Sequence, residues 1–229
     1  MNHAIASLPL LERRTLSEAA YAHLRDLLAS GRVAPGEKLS LRDLSEALGV
    51  SVMPVREAVS RLIADHALEV APNRAVRVPV MTRAQFRELA ETRAGIEGWA
   101  AARAALARGP AQLRAIAGAE AAMREGSDTA DLADAVALNR DFHFAIYAAA
   151  GLPTLLDVIG ALWLKAGPVI NLDLRHSRDR LTAGHALRCH GAALRAIRAR
   201  DAEGARAAIA EDITRAADFI IDKGGLPEG

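Results

Sequence analysis

The sequence predicts a mainly α-helical protein, with an N-terminal winged helix-turn-helix followed by a C-terminal, all-helical bundle of about six helices. Two observations lead to this fold class. Residues 40–66 hold two short helical patterns on either side of Gly49, and a strand-like segment follows at 68–80. After that segment the composition shifts to Ala, Leu and Arg, apolar residues recur at helical spacing, and no further strand pattern occurs. We therefore expect two domains, residues 1–80 and 81–229.

The first domain is predicted to open with a helix. Residues 1–14 show no clear period and are expected to form a mobile arm. Thr15-Leu16-Ser17-Glu18 has the pattern of a capping box, in which the hydroxyl and the carboxylate satisfy free backbone N–H groups. The helix that starts there is expected to end at about Ser30, because Gly31 follows.

Two shorter helices are predicted next, and together they form a helix-turn-helix. Ser40 is suited to cap the first helix, with Asp43 in the capping-box position, and Gly49 ends it. Ser51 is suited to cap the second helix, and Pro54 is tolerated in its first turn. Neither helix can bury its apolar stripe alone. Joined by a short turn, they fit the motif whose second helix presents its N-terminal end to a DNA major groove.

The segment 68–80 completes this unit as a wing. It contains strand-forming valines around a turn at 72–75, so we expect a two-stranded hairpin. The remainder shows helical patterns separated by Gly, Pro and Asp, which favours a helical bundle. The predicted helices span residues 82–108, 111–125, 129–150, 153–172, 178–200 and 202–223.

Composition limits the classes of protein to which the chain can belong. With 229 residues, 51% of them hydrophobic and 25% charged, it is long enough for two modest globular domains, and a disordered or fibrous protein is not expected. The sequence shows no uninterrupted apolar run of about 18 residues and no signal peptide, so we expect no membrane association and a cytoplasmic location. Cys189 is the only cysteine, which excludes an internal disulfide. The net charge of +1 lacks the basic excess of many DNA-binding domains, so any argument for DNA binding depends on the motif.

The helix-turn-helix has a specific residue pattern. From residue 41 it reads Leu-Arg-Asp-Leu-Ser-Glu-Ala-Leu-Gly-Val-Ser-x-x-Pro-Val-Arg-Glu-Ala-Val, and Pro-Asn-Arg follows in the wing. This pattern resembles the GntR family of bacterial transcriptional regulators, and the all-helical remainder is similar to that of the FadR-like branch. The resemblance covers nearly the whole chain from about Thr15. It implies a ligand-responsive regulator, preferentially a repressor, that binds a double-stranded DNA operator as a homodimer and senses a small carboxylate metabolite.

Five residues of the helix-turn-helix are predicted to contact DNA: Arg42, Ser51, Val52, Met53 and Arg56. The last four lie at the N-terminal end of the second helix, which faces the bases in this motif. The resemblance implies that Arg42 and Arg56 occupy positions of DNA-contacting arginines, whereas Val52 stands where the family commonly has arginine. We therefore expect Val52 and Met53 to meet thymine methyl groups. The alternative is that Arg42 and Arg56 are solvated helix residues with no specific partner.

Two arginines of the wing, Arg74 and Arg77, are predicted to contact backbone phosphates or a minor groove. Ala75 replaces a glycine that is usual in the wings of the family, so a positive φ at that position would require a different turn. Glu57 and Arg61 are four residues apart on the second helix and are expected to pair on its surface.

In the second domain, four polar residues stand on helix stripes that should be apolar: Asn139, His143, His190 and Asp212. Burying one of them without a partner costs about 1–3 kcal/mol, so we expect them to share partners. Two imidazoles, a carboxylate and an amide oxygen that converge in a bundle are suited to bind a divalent ion such as zinc, nickel or manganese. Taken singly, each histidine is better explained as an ordinary hydrogen-bonded core residue.

The resemblance bears on the same four residues. Many FadR-like ligand-binding domains hold a metal through an Asp-x3-His pair and two further histidines on the last two helices. His143 and His190 match two of those positions, while Asn139 stands in place of the Asp and Asp212 in place of the last His. Because an amide oxygen is a weak ligand, the resemblance leaves two outcomes. One is a weaker metal site, and the other is an empty site in which Asp212 pairs with Arg93.

Arg93 is the predicted effector-binding residue. It lies on an apolar stripe of the first bundle helix and matches an arginine that the family often carries there. A buried guanidinium requires a carboxylate or phosphate partner, which a small organic acid would supply. An internal ion pair with Glu97 or Asp212 is the alternative.

A metal-dependent hydrolase or lyase that uses His143, His190 and Asp212 is the rival function. The sequence has no obvious general base beside these residues and no HExxH helix motif. We therefore predict that the protein is not an enzyme.

Overall fold

The computed structural model describes residues 16–129, 132–170, 172, 184–223 and 225–228. Within these residues the chain forms nine helices and three short strands, so the predicted mainly α fold is confirmed. The predicted arm 1–14 lies outside the described residues, as does the first part of the helix expected at 178–200. In chain order the elements are α1 (Leu16–Ala29), β1 (Lys38–Leu39), α2 (Leu41–Ala47), α3 (Val52–Ala64), β2 (Glu69–Val70), β3 (Val76–Arg77), α4 (Arg83–Ala107), α5 (Pro110–Thr129), α6 (Leu132–Ala149), α7 (Pro153–Ile170), α8 (His185–Ala199) and α9 (Ala202–Lys223).

The helix-turn-helix consists of α2 and α3, as predicted. Ser40 has extended backbone angles, and its hydroxyl caps α2 by accepting a hydrogen bond from the N–H of Asp43 at 3.3 Å. Ser51 occupies the N-cap position of α3, but its side chain makes no capping hydrogen bond. Both helices pack with α1 around one hydrophobic core. The buried members of this core include Leu24, Leu28, Val55, Val59 and Leu62.

The wing is a three-stranded antiparallel sheet in the order β1-β3-β2, one strand more than predicted. The missed strand, β1, has only two residues, and its Lys38 pairs with Arg77 of β3. The turn between β2 and β3 takes a left-handed conformation at Arg74, with a φ of 62°, and not at Ala75. The side-chain oxygen of Asn73 accepts a hydrogen bond from the Ala75 N–H at 3.2 Å and holds this turn. The turn therefore does not depend on a glycine at position 75.

Helix α4 is the central element of the helical bundle. Its start is fixed by a capping box, in which the Thr82 hydroxyl accepts from the Gln85 N–H and the Gln85 side chain accepts from the Thr82 N–H. It packs most extensively on α9. Gly98 permits this close approach, since a Cβ there would lie 3.2 Å from the Arg206 carbonyl oxygen. The other helices surround this pair and contribute fully buried side chains: Ile116, Phe142, Ile146, Tyr147, Ile159, Trp163 and Ile197. Helix α9 itself contributes Ile209 and Ile220.

Helix α7 joins the bundle to the winged unit through its contact with α1. The two backbones meet at Gly167, because a Cβ there would overlap the carbonyl oxygen of Leu28 and lie 2.9 Å from the Cα of Ala29. An ion pair of 3.6 Å links Asp26 of α1 to Arg140 of α6. The winged unit and the bundle are therefore in direct contact through both backbone and charged side chains.

Among the described residues, α7 is the one helix with the length and apolarity of a membrane span, with a mean hydropathy of 1.3 over 18 residues. It contains Asp157 and Lys165, so its apolar run is interrupted. Of this helix, 56% is buried inside the protein. These features match the core helix of a globular protein.

Candidate functional site

The residues predicted to contact DNA lie on the outer surface of the helix-turn-helix. Arg42, Ser51 and Arg56 are exposed, Met53 is 59% exposed, and Val52 is half-buried. Within the described part of the chain, neither Arg42 nor Arg56 has an ion-pair or hydrogen-bond partner for its guanidinium. Both groups are available to a partner outside the protein.

Other arginines near this surface are engaged within the protein. The Arg61 guanidinium lies 3.9 Å from the centre of the Tyr21 ring, so it stacks on that ring instead of pairing with Glu57. In the wing, Arg77 Nε is 2.5 Å from Glu69 Oε1, across the β2-β3 pair. Arg74 is exposed in the turn of the wing. The structure thus separates the two predicted wing residues into a paired one and an exposed one.

Three of the four polar residues predicted for a metal site meet inside the bundle. His143 Nε2 lies 3.2 Å from Asp212 Oδ2, and His190 Nε2 lies 3.3 Å from the same oxygen. They come from α6, α8 and α9, and all three are buried, His190 completely. Asn139 lies one turn before His143 on α6 and is half-buried on the wall of the adjoining cavity. The alternative in which Asp212 pairs with Arg93 is wrong, because Asp212 faces the two histidines.

The tautomer of His143 follows from its neighbours. The Tyr147 hydroxyl donates its proton to Glu97 Oε2 at 2.5 Å, so its oxygen can only accept from His143 Nδ1, which is 2.8 Å away. Burial keeps the pKa of Tyr147 well above its usual value, and the hydroxyl stays protonated. Burial also lowers the pKa of His143, which favours the neutral ring. With the ring proton on Nδ1, a lone pair of Nε2 faces Asp212.

The ring proton of His190 is also on Nδ1, but for a different reason. Its Nδ1 lies 2.9 Å from Met123 Sδ, and a thioether sulfur can accept a hydrogen bond but not donate one. The Nδ1 atom therefore carries a proton. Among the described residues, Nε2 of His190 is buried without a hydrogen-bond partner, because its 3.3 Å approach to Asp212 is poorly aligned for one.

This centre is rich in lone pairs and suits a cation. Burial alone would raise the pKa of Asp212, but the nearby rings of His190 and His143 outweigh it, because a proton on either Nε2 atom would face this carboxylate, and they hold that pKa well below its usual range. The carboxylate is therefore ionised, and when both rings are neutral with their protons on Nδ1, two Nε2 lone pairs face it. A divalent ion of the zinc, nickel or manganese type takes this ligand set, and the orphaned Nε2 of His190 is the atom that it would satisfy.

Arg93 pairs with Glu97, which was one of the two internal partners considered for it. Arg93 Nε and Nη2 donate to the two carboxylate oxygens at 2.6 and 3.2 Å, and the guanidinium lies 4.6 Å from the centre of the Trp163 ring. The Trp163 indole N–H also donates to Glu97, at 3.0 Å. Glu97 is completely buried and thus connects Arg93 to Tyr147, and through Tyr147 to His143.

Sequence reasoning missed Tyr147, Trp163 and Met123. Tyr147 stands four residues after His143, a spacing that puts both on one helix face, so this contact could have been predicted from the sequence. Trp163 and Met123 come from other helices, and only the packing of the bundle shows that they reach Glu97 and His190.

A cavity of about 500 Å³ adjoins the His/Asp centre. Arg93, Asn139, His143 and Asp212 are on its wall. The rest of the lining is largely apolar and includes Phe86, Val136, Ile170, Ile213 and Phe219, with exposed Arg188 and Arg215 among the lining residues. The cavity can hold a small molecule with an acidic group and an apolar body.

Two family matches cover most of the chain. Residues 16–78 match the family described as bacterial regulatory proteins, gntR family, and residues 88–215 match the FCD domain. The chain is 32% identical over 193 residues to the HTH-type transcriptional regulator McbR of Escherichia coli (strain K12), a match that spans 82% of this chain and 85% of McbR. It is 30% identical over 177 residues to the HTH-type transcriptional regulator BphR of Paraburkholderia xenovorans (strain LB400), which spans 74% of this chain and 72% of BphR.

Solved structures resemble the whole fold. The structure of E. coli McbR/YncC superposes with a TM-score of 0.85 at 28% identity, over 92% of this chain and 99% of that one. A crystal structure of a GntR transcriptional regulator from Rhodococcus sp. RHA1 superposes with a TM-score of 0.73 at 25% identity, over 90% of this chain and 97% of that one. The likeness therefore extends over both the winged unit and the bundle.

Proposed function

The chain belongs to the GntR family of bacterial regulatory proteins, with an FCD domain as its helical part, and from this premise we propose that it represses transcription until a small carboxylate binds in the bundle. The family makes the protein an HTH-type transcriptional regulator and not an enzyme. The rival interpretation, a metal-dependent hydrolase or lyase, is therefore wrong. The observation that carries the proposal is the combination of exposed arginines on α2 and α3 with a cavity in the bundle whose wall carries the cation-binding His/Asp centre.

Operator binding is proposed to use the N-terminal end of α3 and the tip of the wing. In the part of the chain that the structure describes, the guanidinium groups of Arg42 and Arg56 have no protein partner and are suited to bind base edges and phosphates. Val52 and Met53 offer apolar contact, and Arg74 reaches backbone phosphates from the turn of the wing. Arg77 takes the lesser part, since Glu69 already neutralises it. A homodimer in the cytoplasm would place two such surfaces on the half-sites of a pseudo-palindromic operator.

The test of operator binding is a fluorescence anisotropy titration with the DNA upstream of the protein's own gene. A shuffled duplex of equal length and composition, at the same salt concentration, is the control. We expect saturable binding at least a hundredfold tighter to the upstream DNA. Sedimentation of the free protein and of the complex gives the stoichiometry, for which we expect two chains per operator. Equal affinity for both duplexes would contradict the proposal.

Metal binding is proposed to involve His143 Nε2, His190 Nε2 and the Asp212 carboxylate, with Asn139 as a weak fourth ligand. When bound, the ion supplies a positive charge that anchors the acidic group of the effector. Tyr147 and Met123 hold the two rings with Nε2 toward the ion, and Glu97 in turn holds Tyr147. Arg93 lies on the wall of the same cavity, but its two hydrogen bonds to Glu97 neutralise its charge, so it takes a lesser part than the ion in holding an acidic group.

Metal content is measured by plasma mass spectrometry on the purified protein. We expect the double variant His143→Ala/His190→Ala to contain one ion per chain fewer than the unmodified protein, and the exposed-histidine variant His23→Ala to contain as many as the unmodified protein. Melting shifts with a panel of carboxylates, run on the same three proteins, then identify the effector class. An unchanged ion content in the double variant would contradict this ligand set.

Coupling between the two parts is proposed to use α6. This helix carries Asn139 and His143 on the cavity wall, and Arg140, which directly follows Asn139, makes the ion pair with Asp26 of α1. A ligand that shifts α6 thereby shifts the winged unit, and a coupling free energy of about 1–3 kcal/mol suffices to change operator affinity by about 5- to 150-fold. In Arg140→Gln, the effect of the carboxylate on operator affinity should fall, while the control Arg114→Gln retains it. Unchanged coupling in Arg140→Gln would contradict this route.

A further inference from the structure

A second group of metal-ligand side chains lies beside the cavity, apart from the His/Asp centre. His185 is the first residue of α8, Cys189 follows one turn later, and Glu211 faces them from α9. His185 Nε2 lies 3.4 Å from Cys189 Sγ, and the ligand atoms of all three residues are within 4.8 Å of one another. His185 also lines the cavity. This imidazole, thiol and carboxylate take no part in the function proposed above.

The spacing of His185 and Cys189 fits a tetrahedral metal site, and the exposed Glu211 side chain needs to move closer to complete it. Residues four apart on a helix share one face, so His185 and Cys189 project side by side. Zinc binds sulfur at about 2.3 Å and imidazole nitrogen at about 2.0–2.1 Å, which at a tetrahedral angle puts the two ligand atoms about 3.5 Å apart. The observed separation of 3.4 Å therefore accommodates an ion without movement of α8.

Two exposed arginines hold the group in its ion-free form. Arg188 Nη2 is 3.1 Å from His185 Nδ1, and Arg215 Nη2 is 3.6 Å from Glu211 Oε1. Because a guanidinium can only donate, His185 Nδ1 accepts and Nε2 carries the ring proton, which points to Cys189 Sγ. Ion binding at Nε2 moves the ring proton to Nδ1, releases the thiol proton to solvent and requires Arg188 to turn away. Both arginines are at the surface, so this rearrangement costs little.

We propose that His185, Cys189 and Glu211 form a second metal site, which binds a thiophilic divalent ion of the zinc class. Three protein ligands leave one of four positions for water or for the acidic group of a molecule in the cavity. An ion here links the first turn of α8 to α9 beside the cavity. An ion at this second site would affect the binding of a ligand in the cavity. This effect would be separate from that of an ion at His143, His190 and Asp212.

The test is a titration of the chelator-treated, full-length protein with Co²⁺, a spectroscopic probe for zinc sites. A thiolate ligand gives a strong near-ultraviolet charge-transfer band, which the His/Asp centre cannot produce because it contains no sulfur. We expect this band to saturate by two equivalents, since the His/Asp centre also takes up Co²⁺. The band should vanish in Cys189→Ser and require at least tenfold more Co²⁺ in His185→Asn and in Glu211→Gln. It should persist in His143→Ala/His190→Ala and in the control Glu203→Gln.

The other outcomes decide against the site. No thiolate band, or a band lost in His143→Ala/His190→Ala but kept in His185→Asn, would mean that His185 and Cys189 form only a hydrogen bond. Arg188→Ala should tighten Co²⁺ binding several-fold because it removes the competing donor, and a weaker band there would contradict the arrangement. Since His185 and Glu211 are not fully buried, their variants remain informative even if Cys189→Ser fails to fold.

Discussion

The outer surface of α3 and the interior of the bundle both contain an arginine with a proposed role, but the first is exposed to solvent and the second is buried in an ion pair. Arg56 is exposed, and no protein partner for it exists among the described residues. Arg93 is 5% exposed and gives two hydrogen bonds to Glu97 while it stacks on Trp163. Water solvates the first charge at no cost to the fold, whereas the second must be paired inside it.

The difference teaches where function and stability can be separated in this molecule. On α3 the partner of each charge is supplied from outside, so a substitution there should weaken DNA binding and leave the fold intact. In the bundle the charged residues hold one another and the ligand atoms in place, so a substitution changes both stability and ligand binding. The predictions below test this separation, from the largest expected change to the smallest.

The largest change is expected in Glu97→Gln. The amide keeps the shape of the side chain but leaves Arg93 as a buried, uncompensated charge. It also has only one acceptor oxygen for the hydrogen bonds that Arg93, Tyr147 and Trp163 donate to Glu97. We expect the free energy of unfolding to fall by about 3–5 kcal/mol, measured by urea denaturation. The exposed Glu91→Gln on the same helix is the control and should stay within about 0.5 kcal/mol. A loss below 1 kcal/mol in Glu97→Gln would remove the contrast between the two regions.

An intermediate change is expected where the two regions meet, in Gly167→Ala. The added methyl group would collide with the backbone of α1 at Leu28, which nothing flexible can relieve. We expect a loss of about 1–3 kcal/mol in the free energy of unfolding, from the same denaturation experiment. Gly118→Ala on α5 has open space around its Cβ and should gain up to about 1 kcal/mol. Equal stability of the two variants would show that α1 and α7 are not in backbone contact.

The smallest change in stability is expected in Arg56→Ala. The free energy of unfolding should change by no more than about 0.5 kcal/mol, while operator binding weakens by about 1–3 kcal/mol, or about 5- to 150-fold, at fixed salt. Anisotropy titrations with the upstream DNA measure the affinity, and Arg114→Ala on α5 controls for the loss of one positive charge. Loss of stability in Arg56→Ala, or equal affinities of the two variants, would break the proposed separation.

The winged unit was predictable because its signals are local. Ser40, Gly49 and Pro54 mark helix ends that α2 and α3 follow closely, and the valines after residue 68 mark the wing. The third strand was missed because β1 has two residues, and a pair so short has no alternation to detect. The cap at Ser51 was correct in position but not in its hydrogen bond, since backbone angles alone suffice to start a helix.

For the bundle, helical periodicity predicted the helices and the residues that face inward, but not which of those residues pair with one another. The positions of His143, His190 and Asp212 on apolar stripes indicated that they face inward, and the structure brings them together. Periodicity could not choose between Glu97 and Asp212 as the partner of Arg93, because that choice depends on the rotation and crossing of helices. The hydrogen bond of Met123 to His190 has no sequence signature at all, since it connects residues 67 positions apart.

The contact at Gly167 has a bearing on protein engineering. A winged unit taken from another regulator could be joined to this bundle to make a sensor with a new promoter, but the donor must offer bare backbone where Leu28 and Ala29 now lie. A winged unit whose first helix ends in a bulkier or differently placed turn would not pack correctly against α7. Exchange of parts among relatives should therefore succeed when the end of α1 and the glycine of α7 are transferred as one unit.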